Sequence, residues 1–235
     1  MMLLHGLLLL AYTGVVSDGA QQYATLGIAR DFVRDYSSAA TANSDASFVL
    51  RRERIGGVGR SGVFLHPAAA GEATVTYRGV TVHDASIPSF LFFCTGIREG
   101  VPWTSAMPPN GVRFSVDVNG ERVFSEDLAA SEWRAHAVDM SPWAGKAADL
   151  VFATGAIDGR PDYDWAVWGD PVLVTLTPVA EALTEKTAGI AFALVDLPGP
   201  DTVTLSMGEE KRQFLLSTGK HWLPFEFGAL KRFVF

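Results

Sequence analysis

The residues best suited to chemistry lie between positions 158 and 168. Asp158-Gly-Arg-Pro-Asp-Tyr-Asp164 gathers three carboxylates, and Trp165 and Trp168 follow. An indole can stack on the C–H face of a pyranose while nearby Asp or Arg groups hydrogen-bond its hydroxyls. On a strand, positions 165 and 168 point to opposite faces, so one of the two rings belongs to the core. Trp165 is expected inward and Trp168 near the surface. Trp103 lies in the Pro-rich stretch GVPWTSAMPPNG. Loops on a rigid scaffold are where recognition concentrates. The Trp103 ring either stacks on a sugar or closes as a lid over the sandwich edge. Arg98 can pair across its loop with Glu99, or fork onto Asp164 or ligand hydroxyls.

A hard cation such as calcium takes several oxygens from a flexible loop, and Asp158 and Asp162 are the candidates. Their spacing does not match an EF-hand loop. The competing reading gives Asp158 and Asp162 Asx-type turns, with Asp164 tying the loop to the backbone. His66, His83 and His136 stand at no ligand spacing and are expected to be hydrogen-bonded structural residues. Cys94, the single cysteine, excludes an internal disulfide and a zinc–thiolate cluster. It lies in an apolar run and should behave as a small hydrophobe. No nucleophile elbow, Walker loop or His-Glu-x-x-His occurs, and no Gly-x-Gly-x-x-Gly is expected to follow a strand. Gly56-Gly-Val-Gly-Arg-Ser-Gly62 is glycine-rich, but no helix follows that could hold a phosphate. Glu99 and Asp164 are the one conceivable glycosidase pair.

These residues must be positioned by strands. The chain has 235 residues, with 48% hydrophobic and 19% charged, which argues against disorder. Asp plus Glu number 26 against 19 for Lys plus Arg, a net charge of -7 that disfavours a nucleic-acid partner. Runs rich in Val, Phe, Thr and Ile predict strands near 47–52, 62–66, 73–82, 88–95, 112–118, 121–125, 134–139, 148–154 and 165–176. Pro67, Pro102, Pro108, Pro142 and Pro161 fall between the runs and Pro88 at the start of one, which preserves the ladder donors. Val112, Phe114, Val116 and Val118 alternate with polar residues, and Asn119-Gly120 supplies a type I′ turn. Asp139 to Lys146 predicts a helical turn capped by Ser141, started by Pro142 and ended by Gly145. Tyr23 to Tyr36 reads either as a helix or as an edge strand at DFVRDY. Many short strands with turns at this spacing predict an all-β, jelly-roll β-sandwich of antiparallel strands, with a short extra β segment at the C-terminus.

Leu3 to Val16 fits a signal-peptide core, followed by Val15-Val16-Ser17 as a cleavage region, although no Lys or Arg precedes the Leu run. The alternative is a buried N-terminal strand or helix. A 14-residue span is too short to cross a bilayer comfortably, so no transmembrane span is expected. The expected organisation is a leader at 1–17, an extension at 18–46, the sandwich at 47–178 and a linker at 179–187. Residues 188–235 hold extra strands or a truncated second β domain, expected to pack on the main body.

An ordered set of motifs supports a family resemblance. Gly62-Val-Phe-Leu-His-Pro67 is followed by Phe92-Phe-Cys-Thr-Gly-Ile-Arg-Glu99 and Asn110-Gly-Val-Arg-Phe-Ser-Val-Asp-Val118. Val138-Asp-Met-Ser-Pro-Trp-Ala-Gly-Lys146 and Tyr163-Asp-Trp-Ala-Val-Trp-Gly-Asp-Pro171 complete it. In this order the segment 60–176 resembles the NPCBM-like carbohydrate-binding modules of the galactose-binding-like superfamily. Asn110-Gly111 stands where that family often has Asp-Gly, and 184–235 lies outside the match. The resemblance implies a non-catalytic carbohydrate-binding module of a secreted or cell-surface protein, an accessory to other domains. Many such sandwiches carry one structural calcium. The ligand residues expected are Trp103, Arg98, Asp164 and Trp168. The alternatives are a structural or protein-interaction sandwich and, more remotely, a fragment of a glycoside hydrolase.

Overall fold

The structure is a computed structural model of the chain. It describes the backbone of residues 5–6, 9–10, 13–17, 22–86, 88–105, 108–178, 188–197, 201–207, 210–216 and 219–228. Side chains are described for 28–175, apart from 87, 106 and 107, and for residue 202. In chain order the strands are β1 (His5–Gly6), β2 (Leu9–Leu10), β3 (Thr13–Ser17), β4 (Gln22–Asp31), β5 (Ala40–Ala42) and β6 (Ser47–Ile55). Next come β7 (Val58–Leu65), β8 (Glu72–Thr81), β9 (Ser89–Ile97), β10 (Val112–Val118), β11 (Glu121–Leu128) and β12 (Trp133–Asp139). The last are β13 (Ala147–Ala156), β14 (Ala166–Pro178), β15 (Ala188–Leu197), β16 (Asp201–Met207), β17 (Glu210–Leu216) and β18 (Gly219–Gly228). Three short 3-10 turns and no α-helix occur among the described residues.

The chain divides into two compact units, one of residues 28–173 with 232–235 and one of 1–27 with 174–231. The first is the expected β-sandwich. One sheet runs β11-β10-β13-β8-β5, and the other contains β12-β9-β14, with β7 paired to β14 and β6 to β7. In the second unit β15 pairs along β18, β16 pairs with β17, and β1 pairs with β15 at His5↔Leu194. The segment 1–17 thus contains three short strands. The runs expected at the C-terminus form β15 to β17, and KHWLPFEF forms most of β18. The linker at 179–187 and the terminal RFVF lie outside the described residues.

The Asn119-Gly120 hairpin forms as expected, with φ of 51° and 83° and Val118 opposite Glu121. Its inward row, Val112, Phe114, Val116 and Val118, is buried, while Arg113 is exposed and Asp117 half-buried. A second tight hairpin joins β6 to β7 through Gly56-Gly57, both at positive φ. The Gly-rich stretch is therefore a turn and a strand start. The Tyr23–Tyr36 segment contains neither a helix nor a strand at DFVRDY. The strand lies earlier, ending at Asp31, whose carboxylate accepts from the Val33 and Arg34 amides and turns the chain.

Two local expectations are corrected. The turn at Ser141–Trp143 starts after Met140, and Ser141 does not cap it. Asp139 accepts from both the Ser141 amide and its hydroxyl instead, at 2.8 and 2.6 Å. Trp168 is not near the surface. It is 1% exposed, with Phe114 and Phe152 rings 5.1 Å away and Phe93 at 5.3 Å. Its strand starts at Ala166, and Ala166, Trp168 and Leu173 all belong to the core cluster. Trp165 precedes the strand, so the pleat does not set its direction, and it is only half-buried.

The outer face of the β9/β14 sheet has its own indole. Trp133 lies over two glycines, because a Cβ at Gly96 would sit 2.5 Å from its ring and one at Gly169 2.7 Å. Its Nε1 donates to the Val58 carbonyl at 3.0 Å. The Arg60 guanidinium lies 5.7 Å from the same ring and pairs with Asp170 at 3.1 Å, both side chains being buried. Trp143 is half-buried against the core.

Candidate functional site

One end of the sandwich gathers most of the residues singled out by the sequence. Arg98 follows β9 directly, and its backbone is held at both ends. The Arg98 amide donates to the Trp165 carbonyl at 3.0 Å, and the Arg98 carbonyl accepts from the Ser131 hydroxyl at 2.9 Å. The Trp103 Nε1 donates to that same hydroxyl at 3.0 Å. Ser131 therefore joins the 98–105 loop to the turn before β12.

The Arg98 side chain pairs with neither Glu99 nor Asp164. Its Nε donates to Glu53 at 2.9 Å, and its guanidinium lies 5.8 Å from the Phe64 ring centre. Phe64 stacks at 4.7 Å on Phe48, which is 43% exposed. Glu99 accepts from the Gly56 amide at 2.8 Å, bracing the β6–β7 hairpin. Arg98 is 37% exposed against 13% for Glu53, so the pair is a half-open, charge-assisted contact with donors facing solvent.

The loop from Ile157 to Trp165 is wound tightly. The Asn110 side-chain amide donates to the Ile157 carbonyl. Asp164 N donates to Pro161 O, Trp165 N to Tyr163 O, and Ala166 N to Asp164 O. Asp158 and Tyr163 sit at φ 55° and 62°, conformations uncommon outside glycine. This winding exposes Tyr163 at 48%, with its ring edge-on to Trp165 at 5.8 Å. Trp165 in turn lies beside Gly100, where a Cβ would meet it at 3.6 Å.

Asp164 is turned the other way. It is 1% exposed, and neither carboxylate oxygen accepts a hydrogen bond from any described residue. Burial, reinforced by the charge of Asp162 and opposed by Arg160, pushes its carboxyl from an ordinary 3.8 up to about 7. Asp164 and Trp168 are therefore interior groups beneath the loop, with no surface to offer a ligand. Asp158 and Asp162 are exposed. Among the described residues no three His, Cys, Asp or Glu side chains come together to hold a metal ion.

The histidines are structural where the contacts are described. His66 Nδ1 lies 2.9 Å from the Pro67 carbonyl. His136 Nε2 lies 3.0 Å from both the Thr95 hydroxyl and Glu126. The same ring nitrogen faces both groups, so these three do not form a proton relay.

Sequence reasoning placed Arg98 and Trp103 at this end but missed Glu53, Ser131, Phe48 and Tyr163. Tyr163 had a signal. Pro161-Asp162 marks a turn and puts the next residue at a loop tip.

No family model matches the chain, and no curated protein matches it. Among solved structures it is similar to the CBM51 module of GH95 from Clostridium perfringens in complex with methyl-galactose. That match has 18% identity and a TM-score of 0.41 over 65% of this chain and 100% of that one. It is also similar to the M60 catalytic domain with two CBM51 domains of ZmpB from the same organism. The identity there is 15% and the TM-score 0.43, over 90% of this chain and 25% of that one. A third is a cyclase from Fischerella, at 13% identity and TM-score 0.35, over 61% of this chain and 76% of that one.

Proposed function

We propose that the sandwich of residues 28–173 is a non-catalytic carbohydrate-binding module that holds a glycan at the Arg98–Tyr163 end. The observation that carries the reading is the exposed Tyr163 ring, braced edge-on by Trp165, whose carbonyl accepts from the amide of Arg98, the residue that forms the half-open pair with Glu53. A ring presented this way offers a face to a sugar, and a guanidinium with spare donors offers hydrogen bonds to hydroxyls. Trp103 contributes by fixing the loop rather than by a free indole N–H, which Ser131 already accepts. Trp168 and Asp164 support the loop from below.

Catalysis is outside this reading. The one carboxylate pair suggested by the sequence is separated in role, since Glu99 braces Gly56 and Asp164 is buried. A glycosidase needs two carboxyl groups facing one scissile bond. A secreted or cell-surface location suits a glycan binder and forms part of the proposal. The competing reading is a sandwich for protein interaction, favoured by the burial of Trp168 and Asp164.

Affinity electrophoresis and a glycan array on wild type, Tyr163→Ala and Arg98→Ala test it. Retention of wild type on at least one polysaccharide, lost by roughly tenfold or more in both variants, is expected. Uniform absence of retention, or variants that match wild type, refutes it.

A further inference from the structure

A concavity in the sandwich shares no residue with the loop end. It has a volume of about 630 Å³ and lies between the 31–37 turn, the β6–β7 hairpin and β14. Val33, Val49 and Val172 line it, with Asp31, Arg34, Arg51, Ser61 and Asp170 among its polar residues. Its size is within the range of pockets that take small ligands, roughly 300–1,000 Å³.

Its charges are unevenly committed. Asp170 accepts from Arg60 Nη1 and from the Ser61 amide, both at 3.1 Å. Asp31 accepts from two backbone amides at 3.0 Å. Both carboxylates thus already face protein donors. Among the described residues the Arg34 side chain pairs only with its neighbour Asp35, at 3.6 Å, and is 76% exposed. Arg51 is exposed and makes no ion pair among the described residues.

The backbone presents Arg51 by a specific device. β6 is bulged between Leu50 and Glu53, so Arg51 and Arg52 together oppose the single residue Ser61. The Ser61 hydroxyl donates to the Arg51 carbonyl at 2.9 Å and closes the bulge. Bulges re-aim side chains and recur beside functional sites. Asp170, on the facing strand, is itself at φ 43°. Two local departures from the ladder therefore meet at this cleft, and each has a cost that plain pairing would avoid.

We infer that this cleft binds a sugar acid, a ring-sized hydroxylated body carrying one carboxylate. The carboxylate takes the fork of Arg51, in the bidentate geometry that suits guanidinium. The valines receive the C–H face of the ring, and the Ser61 and Tyr36 oxygens remain able to accept from its hydroxyls. Asp31 and Asp170 on the walls disfavour a second negative charge. The inference does not rest on the loop-end reading, and either can fail alone.

Titration of the full chain with D-glucuronate, D-glucose and benzoate, followed by NMR or calorimetry, tests it. Glucuronate is expected to bind saturably and glucose and benzoate at least tenfold more weakly. Arg51→Gln should weaken glucuronate at least tenfold and flatten its salt dependence, while Tyr163→Ala leaves it unchanged. Equal binding of glucose, tighter binding of benzoate, no binding of glucuronate, or an Arg51→Gln variant that matches wild type overturns the assignment. Loss of glucuronate binding in Tyr163→Ala would move the site to the loop end and overturn it as well.

Discussion

Replacing Asp164 by Asn should convert a pH-sensitive sandwich into a less sensitive one. In the folded chain the Asp164 carboxyl is pushed by burial from 3.8 to about 7. Below pH 3.8 the carboxyl is protonated in both folded and unfolded chains, and the group adds nothing. Between about pH 4 and 7 the unfolded chain releases the proton while the folded chain retains it. Folding therefore loses free energy as pH rises through this window, and above pH 7 the full penalty is present. At 1.36 kcal/mol per tenfold change, a carboxyl moved this far carries roughly 4 kcal/mol. The Asn variant has no such titration. Its own offset, the difference between a buried amide and a buried carboxylic acid, is read at pH 4 and subtracted. Urea unfolding followed by tryptophan fluorescence at pH 4, 6 and 8 is the assay. Five of the six Trp lie within residues 28–173, so the signal belongs mainly to the sandwich. The stability difference between variant and wild type should grow by several kcal/mol from pH 4 to pH 8. Parallel stability curves would mean that Asp164 ionises freely, and the account of its environment would be wrong.

Other perturbations have defined outcomes. Asp170→Asn leaves Arg60 buried beside a neutral group and should destabilise the sandwich by about 3 kcal/mol, measured by the same unfolding assay. Gly120→Ala should cost about 1–2 kcal/mol through its left-handed φ alone, because no heavy atom lies within 4 Å of the added Cβ. A loss below 0.3 kcal/mol would show that the turn relaxes. Burial pushes Glu126 up, but hydrogen bonds and charge from His136 and Arg134 outweigh it and hold the carboxyl below its ordinary range. That stabilisation is present above the ordinary glutamate value and is lost as pH falls through the lowered one. Glu126→Gln should therefore weaken the fold at pH 6, with the gap closing as the pH falls below the ordinary glutamate value in acid unfolding curves.

The strands between 47 and 176 were legible because their cues are local. Alternation in 112–118 and the Asn119-Gly120 pair specify one hairpin without reference to the rest of the chain. Gly56-Gly57 carries the same cue for another hairpin, masked in the sequence by the further glycines at 59 and 62. The choice between Trp165 and Trp168 was not local. It depends on which ring meets Phe93, Phe114 and Phe152, residues contributed by strands distant in sequence. The partner of Arg98 was hidden for the same reason. Glu53 lies 45 positions away and meets Arg98 only through the tertiary fold, from a strand that is not its neighbour in the sheet. The bulge that re-aims Arg51 left no trace in a sequence of repeated arginines.

The two backbone anchors at residue 98 separate how the loop is held from what it offers. The amide and carbonyl of this residue make the joints to Trp165 and Ser131, and only the side chain beyond Cβ meets Glu53 and solvent. Substitutions there can trade one polar head for another on an unmoved mount. On the proposed reading, position 98 is a natural dial for ligand preference, adjustable without re-engineering the loops that carry it.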